Sequence, residues 1–569
     1  MSQKKIKRLK KEENVEIKVV ENIGGIRSIL KNNWKFLVGL VIGTFLLYFN
    51  SLGGNFVSDD YASITQNPDI KNFGVALKIF SLQGIINSVI SIIFGTTSPI
   101  PFHLCSLILY LLVLVAGFVL VFLLTKSKAV SMITLILYAC LPIHVENISW
   151  ISGRPYLFVA LFVFISLDLF ILFLNKRQNR YLWLILPNLF LLFITDRIRG
   201  FAVVILGLFY FLTYKKELGY KIKLGKIIAG LILVTSVLAI VSMPMIKERI
   251  ASVNGGINAS DSLFYNPLFQ YPTAISKYLQ LMFLPVDLTL YHTMYVIPVW
   301  MNWLIILTYI SLVVYFFFKE KILFFALAFI FLASAPSMAP VKVSWLVAER
   351  YLLMGSLGFC LFLVLFFKRF INKKTEGIMF IVFLIVVGLF CCRVFLRNID
   401  WKTNHNLWVI TCQVSPNSHN AWNNIGDDYD KLGQYENAIK GFTQSTVVKP
   451  NYADAFHNRA NIFYKMGRFD LARDSYETGL YFNPAMYQSY ISLIQIDLTE
   501  KNGEMALSDL ARLQKAQPNN MQVAYISAVV YAQTGKIDES KQILKQILQV
   551  YPQFGEAQNL LNQLNQLKN

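Results

Sequence analysis

Two adjacent carboxylates are the residues in this sequence best suited to acid–base chemistry. Asp59 and Asp60 follow a Gly-Gly pair, just after the first long apolar run. A carboxylate held against an acceptor hydroxyl can take its proton as the oxygen attacks. A second carboxylate can orient the acceptor, hold a metal or raise the pKa of the first. A solvated loop would place the same residues here, so the sequence leaves both interpretations open.

A second cluster lies between two later apolar runs and contains His144, Glu146, Trp150 and Arg154. The His-x-Glu spacing occurs in metal sites but is a loose signal on its own. The loop charges, considered below, place this cluster on the same side of the membrane as the acid pair. We therefore treat it as part of the same candidate site, with a metal left open.

A third cluster is the short segment Asp196, Arg197 and Arg199, which separates two apolar runs. Charges wedged in this way lie at or below the membrane interface, where they are costly unless they pair or serve a function. A salt-bridged turn and a substrate contact are both consistent with the pattern.

The fourth cluster contains Lys342 and the pair Glu349-Arg350, at the outer end of an apolar run. An arginine here can clamp a phosphate as leaving-group charge develops. It can equally be an interfacial arginine paired with Glu349. Three further polar residues flank the short apolar stretch 273–286 and can complete a cavity wall: Lys277, Tyr291 and His292.

The composition indicates the scaffold that must position these clusters. Of the 569 residues, 55% are hydrophobic and only 15% are charged, which excludes a disordered chain and argues against a purely soluble one. We predict an all-α, polytopic membrane helix bundle with a re-entrant or interfacial segment at 273–286. Its eleven predicted crossings are 35–50, 102–124, 129–143, 155–174, 181–195, 200–213, 227–243, 298–318, 321–335, 351–367 and 377–396.

Loop charge predicts the orientation. Lys and Arg concentrate in segments on the N-terminal side, beginning with the basic segment 1–35, so that side is predicted to be cytoplasmic. An odd number of crossings then places the four clusters and the C-terminal part outside. Acidic and basic residues balance downstream of residue 396, so the net charge of +20 belongs to the membrane part. No basic stripe that would bind nucleic acid is left.

The C-terminal part is periodic. Five prolines recur every 34 residues: Pro416, Pro450, Pro484, Pro518 and Pro552. The period and its small and aromatic residues, such as Gly426, Ala438 and Phe442, are typical of tetratricopeptide repeats. After a junction at 397–418, we predict four repeats over 419–569, closed by a capping helix at 555–567. Such arrays bind a peptide or protein in a concave groove, and a structural or dimerising role is the alternative.

Four segments carry a resemblance to a known family. GGNFVSDDYASITQNPDI, LPIHVENISWISGRPYLFVALF, ERYLLMGSLGF and RNIDW, in this order, resemble segments of the transmembrane O-mannosyltransferases with tetratricopeptide repeats, within the GT-C glycosyltransferase superfamily. The resemblance runs from about residue 36 to residue 555. It implies that 36–396 is a GT-C-type glycosyltransferase domain.

The resemblance implies an inverting transfer of a mannose-like sugar from a polyprenyl-phosphate donor. The acceptor would be a Ser or Thr hydroxyl of an extracytoplasmic protein that the repeats present. Carried over by position, Asp59 or Asp60 is the base, with a slight preference for Asp60. Donor and acceptor contacts are expected from residues of the clusters above: His144, Glu146, Arg154, Asp196, Arg197, Glu349, Arg350 and Tyr291. One further residue, His103, matches the family and is expected to contribute as well.

Two other function classes stay open at this stage. One is a related enzyme that modifies a surface glycan or lipid, and the other is a non-catalytic membrane scaffold that uses its repeats to assemble partners. An enzyme needs the acid pair, whereas a scaffold does not. The Lys-, Asn- and Ile-rich usage favours a prokaryotic plasma membrane over an endoplasmic reticulum.

Overall fold

The computed structural model describes residues 25–196, 199–219, 267–335, 346–518 and 520–566. The chain divides into two compact units, Met1–Ile410 and Thr411–Asn569. All regular structure in the described ranges is helical, as predicted. The predicted crossing 227–243 and the predicted site residues Arg197 and Lys342 lie outside the described residues.

The first unit is built from apolar helices. Before the gap at 220–266 these are α1 (Ile26–Tyr48), α2 (Phe73–Ile79), α3 (Leu82–Phe94), α4 (Ile100–Thr125), α5 (Lys128–Ala139), α6 (Val145–Ser149), α7 (Arg154–Lys176), α8 (Arg180–Thr195) and α9 (Phe201–Tyr214). After it come α10 (Pro267–Phe283), α11 (Val299–Lys319), α12 (Lys321–Ser334), α13 (Gly355–Lys368) and α14 (Glu376–Asp400). The next helix, α15 (Asn404–Val414), begins in the first unit and ends in the second.

Five of the described helical stretches are long and apolar enough to cross a membrane: Ile26–Gly53, Ile100–Thr125, Ile151–Lys176, Val299–Lys319 and Glu376–Asp400. Each overlaps one predicted crossing. A sixth crossing is added if α5 and the bent segment Pro142–Ser149 form one span. Four shorter apolar helices overlap four more predicted crossings. Another short apolar helix, α3, was not predicted as a span. The helical membrane bundle is thus confirmed, and the number of crossings stays a prediction.

The break after α5 carries site residues into the protein interior. Pro142 has no N–H to donate and cannot continue the helix, so the axis turns by 59° through a 3-10 turn at Pro142–His144 into α6. His144, Glu146 and the rest of α6 are buried as a result.

Two glycines let α12 and α13 approach closely enough to fix the segment before α13. A Cβ added at Gly355 would lie 2.3 Å from the carbonyl oxygen of Ile330, and one at Gly358 would lie 2.6 Å from that of Ala326. Only glycine therefore fits at these two contacts. The 3-10 turn Glu349–Leu352, which carries two predicted site residues, leads directly into this helix pair.

The second unit consists of helix pairs in its described residues, which confirms the predicted all-helical repeat fold. The pairs are α16 (His419–Lys431) with α17 (Tyr435–Val448), α18 (Ala453–Lys465) with α19 (Phe469–Phe482), α20 (Tyr487–Thr499) with α21 (Gly503–Ala516) and α22 (Met521–Gln533) with α23 (Ile537–Val550), followed by α24 (Gly555–Gln566). The repeated small residues allow close packing: Gly426 lies against the ring of Phe442, and Ala438 is fully buried.

Replacing Lys501 by glycine should stabilise the repeats by about 0.5–1 kcal/mol. The turn within each pair adopts positive φ at Gly433, Gly467 and Gly535, and Lys501 occupies the same place with φ 59°. A left-handed conformation costs a side-chain-bearing residue roughly 1–2 kcal/mol, partly offset by the greater freedom of glycine in the unfolded chain. Denaturant unfolding of the full chain in detergent measures the change. Gly467→Ala is the matched control and should destabilise; a gain from both substitutions would contradict the explanation.

Candidate active site

Asp60 is buried and its carboxylate is fully engaged in holding a loop. Its Oδ1 accepts hydrogen bonds from the backbone N–H and the hydroxyl of Ser152, at 2.8 and 2.6 Å. Its Oδ2 accepts from the N–H of Val57 at 3.2 Å. Burial raises the pKa of Asp60 to about 6, although the hydrogen bonds from Ser152 oppose the shift. Asp60 therefore ties the loop 54–60 to the segment that precedes α7.

Asp59, by contrast, is exposed. Partial burial raises its pKa, and the positive charge of Arg350 acts in the opposite direction. Asp59 is thus accessible from outside the protein, and a cation lies near enough to act on its charge. Asp60 could meet a substrate only if its loop rearranged.

Arg154 bonds residues of the neighbouring helices α3 and α4. The guanidinium is fully buried and donates to Oγ of Ser106 at 3.1 Å, Oδ1 of Asn87 at 2.8 Å and the carbonyl oxygen of Phe102 at 2.9 Å. Its positive charge also acts on Asp60. Arg154 therefore offsets the buried carboxylate, and the structure gives it no exposed surface for a donor.

The two predicted histidines are also buried. A Cβ at Gly54 would lie 3.2 Å from Nε2 of His103, so this histidine packs directly under the loop. In His144, Nδ1 bonds the hydroxyl of Tyr110 and Nε2 bonds that of Ser356, both at 2.8 Å. Both nitrogens of His144 are thus occupied by protein groups. Within the described ranges no three His, Cys, Asp or Glu side chains form a metal-binding group, so the donor set for the metal left open by the sequence does not assemble around His144 and Glu146.

In the described part of the chain, three predicted site residues with carboxylates pair with arginines: Glu146–Arg350, Asp196–Arg199 and Glu349–Arg397. Glu146 accepts from the side chain of Arg350 and, at 3.0 Å, from its backbone N–H. The alternative that Arg350 pairs with Glu349 is wrong, because Glu349 instead lies 3.2 Å from Arg397. The salt-bridged turn predicted for the third cluster is present between Asp196 and Arg199.

Glu349 collects several partners in the interior. Besides Arg397 it accepts from the N–H of Thr289 at 2.5 Å and lies 3.5 Å from Nε2 of His292. Burial alone would raise the pKa of Glu349, but the positive charge of Arg397 and the contacts with His292 and Thr289 hold it below its usual value. Glu349 is therefore a buried anchor, and His292 is drawn into the same cluster. The neighbouring Tyr291 packs on Trp408, with ring centroids 5.6 Å apart.

The three arginines and four aromatic rings form one continuous chain of contacts, here called the guanidinium–aromatic ladder. In order, it comprises Arg397, Trp401, Trp150, Arg350, Tyr351, Arg199 and Tyr156. Each guanidinium carbon lies 4.3–5.6 Å from a ring centroid, within the range of cation–π attraction. Side-chain exposure rises along the row, from 0% at Arg397 to 8% at Arg350 and 24% at Arg199. The Arg199 end is therefore where an anion can reach a cation.

Several residues of this arrangement were not selected from the sequence. Ser152 and Arg397 gave no signal beyond lying within the family-like segments, and Arg199 was noted in the third cluster without being chosen. Tyr156 follows the predicted Arg154 by two positions, and its hydroxyl accepts from Arg199 at 2.8 Å. An arginine count in the loops predicted to be outside would have found Arg199. Nothing in the sequence reveals which carboxylate each arginine meets.

The chain has relatives among characterised proteins. It is 22% identical to the mouse protein named Protein O-mannosyl-transferase TMTC3 over 92% of this chain and 61% of that protein. The human protein of the same name matches at 22% over 92% of this chain and 60% of its own length, and Caenorhabditis elegans Protein O-mannosyl-transferase F38B6.6 matches at 22% over 75% and 64%. This confirms the resemblance seen in the sequence. The chain spans about three fifths of the length of the first two relatives.

Family models described as tetratricopeptide or TPR repeats match residues 426–467, 453–486 and 498–564. Among solved structures, the crystal structure of MamA protein is 16% identical and covers 26% of this chain and 80% of that one, at a TM-score of 0.24. That score is too low to carry an argument. The repeats are therefore established by the family models and by the helix pairs described above.

Proposed function

We propose that this chain, as a relative of the protein O-mannosyl-transferases, moves a mannose-like sugar from a polyprenyl-phosphate donor to Ser or Thr hydroxyls of extracytoplasmic proteins. The observation that carries the proposal is the exposed carboxylate of Asp59. The positive charge of Arg350, which belongs to the guanidinium–aromatic ladder, acts to lower the pKa of this carboxylate. A base and a phosphate-binding cation are the two groups that such a transfer requires.

In the proposed reaction, Asp59 takes the proton of the acceptor hydroxyl as its oxygen attacks the anomeric carbon of the sugar. The new C–O bond forms on the face opposite the phosphate, so the configuration inverts. The bond between the anomeric carbon and the phosphate oxygen breaks, and its electron pair leaves with polyprenyl phosphate. Arg199 and Arg350 stabilise the charge that develops on that phosphate, because guanidinium groups bind phosphate oxygens in a fixed fork.

The ion pairs hold the guanidinium groups of Arg350 and Arg199 in place. Glu146 and Asp196 each hold one arginine, and the rings of Tyr351 and Tyr156 lie alongside the guanidinium groups. A preorganised cation needs little rearrangement when the leaving group forms, which is the main source of electrostatic catalysis.

Replacing Arg199 by glutamine should raise the donor KM by about 10-fold or more, because a hydrogen bond to a charged group contributes roughly 1.5–3 kcal/mol. Initial rates against donor concentration measure this. Arg369→Gln is the matched control: Arg369 also pairs with a carboxylate, Glu320, and lies 5.1 Å from the ring centroid of Phe316. The loop charges predict that it faces the opposite side of the membrane. Equal effects of the two substitutions would count against donor binding by Arg199.

We further propose that the repeats bind the acceptor protein. The lining of a cleft of about 360 Å³ in the second unit includes side chains that can both donate and accept hydrogen bonds, among them Asn458, Asn461, Ser492 and Gln495. Amide and hydroxyl groups of this kind can pair with the backbone of an extended peptide. The surface suits a flexible Ser- or Thr-bearing segment of an acceptor.

The test uses the purified full chain in lipid nanodiscs, a panel of polyprenyl-phosphate sugars and host membrane extract. Release of polyprenyl phosphate together with a matching mass gain on proteins supports the proposal. A gain on glycans or lipids alone would favour the related glycan- or lipid-modifying enzyme. Absence of turnover with every donor would overturn the proposal in favour of the scaffold.

A further inference from the structure

The loop 54–60, which carries Asp59, is attached to the first unit on two sides. On one side Asp60 bonds Ser152, as described above. On the other side the segment after α14 holds it: the N–H of Asn55 donates to the carbonyl oxygen of Lys402 at 2.8 Å, and the N–H of Ser58 donates to Oδ1 of Asn404 at 3.0 Å. Both neighbours of Asp59 are thus anchored, while Asp59 itself is exposed.

Ser58, which donates to Asn404, has a strained backbone conformation. Ser58 has φ 52°, in the left-handed region that costs a residue with a side chain roughly 1–2 kcal/mol. Such a conformation persists only where surrounding contacts impose it. The acceptor oxygen of Asn404 is the contact that the structure shows on the N–H of Ser58. Without it, Ser58 can relax toward negative φ, and because that rotation precedes Asp59 in the chain, it would change the direction of the Asp59 side chain.

We propose that Asn404 is a positioning residue for the base Asp59, acting through the hydrogen bond to Ser58. This inference rests on the proposed function, since it presupposes that Asp59 takes the acceptor proton. The two residues are 346 positions apart, so the contact joins the first outer segment to the start of α15. In this proposal Asn404 acts only through the loop and takes no part in the chemical step itself.

Two substitutions at this position separate the hydrogen bond from the bulk of the side chain. Asn404→Leu keeps a similar volume and removes the acceptor, and we expect kcat to fall at least 10-fold while the donor KM stays unchanged. Asn404→Asp keeps an acceptor oxygen, and we expect it to restore most of kcat. Its added negative charge should also move the acid limb of the kcat profile to higher pH, because a like charge raises the pKa of Asp59.

Asn406→Leu is the matched control. Asn406 lies two residues further along α15, and its side chain bonds the carbonyl oxygen of Ile399 instead of the loop. It should leave kcat and the pH profile as in the wild type. A merely structural role for Asn404 would lower the yield of folded protein in Asn404→Leu without changing kcat per folded molecule, and that result would overturn the proposal.

A second readout does not depend on activity. Hydrogen–deuterium exchange of the peptide that contains Ser58 should speed up in Asn404→Leu and stay close to wild type in Asn404→Asp and Asn406→Leu. Unchanged exchange in Asn404→Leu would overturn the positioning role even if no substrate had been found. Absence of turnover in the wild type, with exchange changed as expected, would instead overturn the proposed function while the anchoring contact stood.

Discussion

Asp59→Asn should lower kcat for sugar transfer by about 10²–10⁴-fold, the usual contribution of a positioned general base. The amide cannot accept the hydroxyl proton, and the exposure of Asp59 means that the substitution leaves no unsatisfied buried group. Donor KM should change little, because the phosphate contacts are assigned to Arg199 and Arg350. Release of polyprenyl phosphate in nanodiscs measures the rate, and an unchanged thermal unfolding midpoint shows that the variant is folded.

Asp60→Asn is the informative comparison. Asparagine at this position can still accept from Ser152 but cannot carry the charge that faces Arg154, and its NH₂ group would have to replace one of the carboxylate oxygens. We expect lower stability with a smaller loss of kcat per folded molecule. A stable, inactive Asp60→Asn beside an active Asp59→Asn would contradict our assignment and support Asp60, the residue slightly preferred from the sequence.

The pH profile provides an independent check on Asp59. A base must be ionised to act, so activity should fall as pH drops through its pKa. Burial raises that pKa, which places the acid limb of kcat/KM above the range of an ordinary aspartate. The positive charge of Arg350 opposes this rise in pKa, so a variant without this cation should show its acid limb at still higher pH. A limb unmoved by loss of Arg350 would argue against their proximity.

Local sequence signals predicted what local physics determines. The 34-residue proline period predicted the helix pairs of the repeats, because each pair is a unit whose small residues face its own partner helix. Apolar runs predicted most of the described spans because the length and hydropathy of a spanning helix are also properties of a continuous stretch of sequence. Pro142 had a local consequence too: it lies at the end of a predicted span, yet the structure shows that the chain bends there into a buried turn.

The partners of the site residues could not be read in this way. Glu146 and Arg350 are 204 positions apart, and Glu349 meets Arg397 across 48 positions. The adjacent pair Glu349-Arg350 suggested a local ion pair. The two residues lie in a 3-10 turn, and Glu349 pairs with an arginine elsewhere while Arg350 pairs with a carboxylate elsewhere. Spacing likewise did not separate Asp59 from Asp60, and the resemblance gave only a slight preference for Asp60. The burial of one and the exposure of the other follow from the packing of Ser152, which no local pattern encodes.

The second large effect is expected at the buried pair Glu146–Arg350. Glu146 is fully buried and Arg350 nearly so, and removing one partner of such a pair costs roughly 3–5 kcal/mol because it leaves an uncompensated charge. We therefore expect Glu146→Gln and Arg350→Met each to lower the free energy of unfolding by about this amount. The double variant should be more stable than the sum of the two losses predicts, because no isolated charge remains.

In that double variant we expect part of the unfolding free energy to be recovered but not the transfer activity. Recovery of the unfolding free energy without recovery of transfer would show that Arg350 is needed for the reaction as well as for the fold, since the phosphate would lack its cation. The exposed pair Glu320–Arg369 is the control, and exposed pairs contribute only about 0–1 kcal/mol. Additive losses at Glu146 and Arg350 would contradict a direct pairing. An active double variant would instead move the phosphate contact to Arg199 alone, at the exposed end of the guanidinium–aromatic ladder.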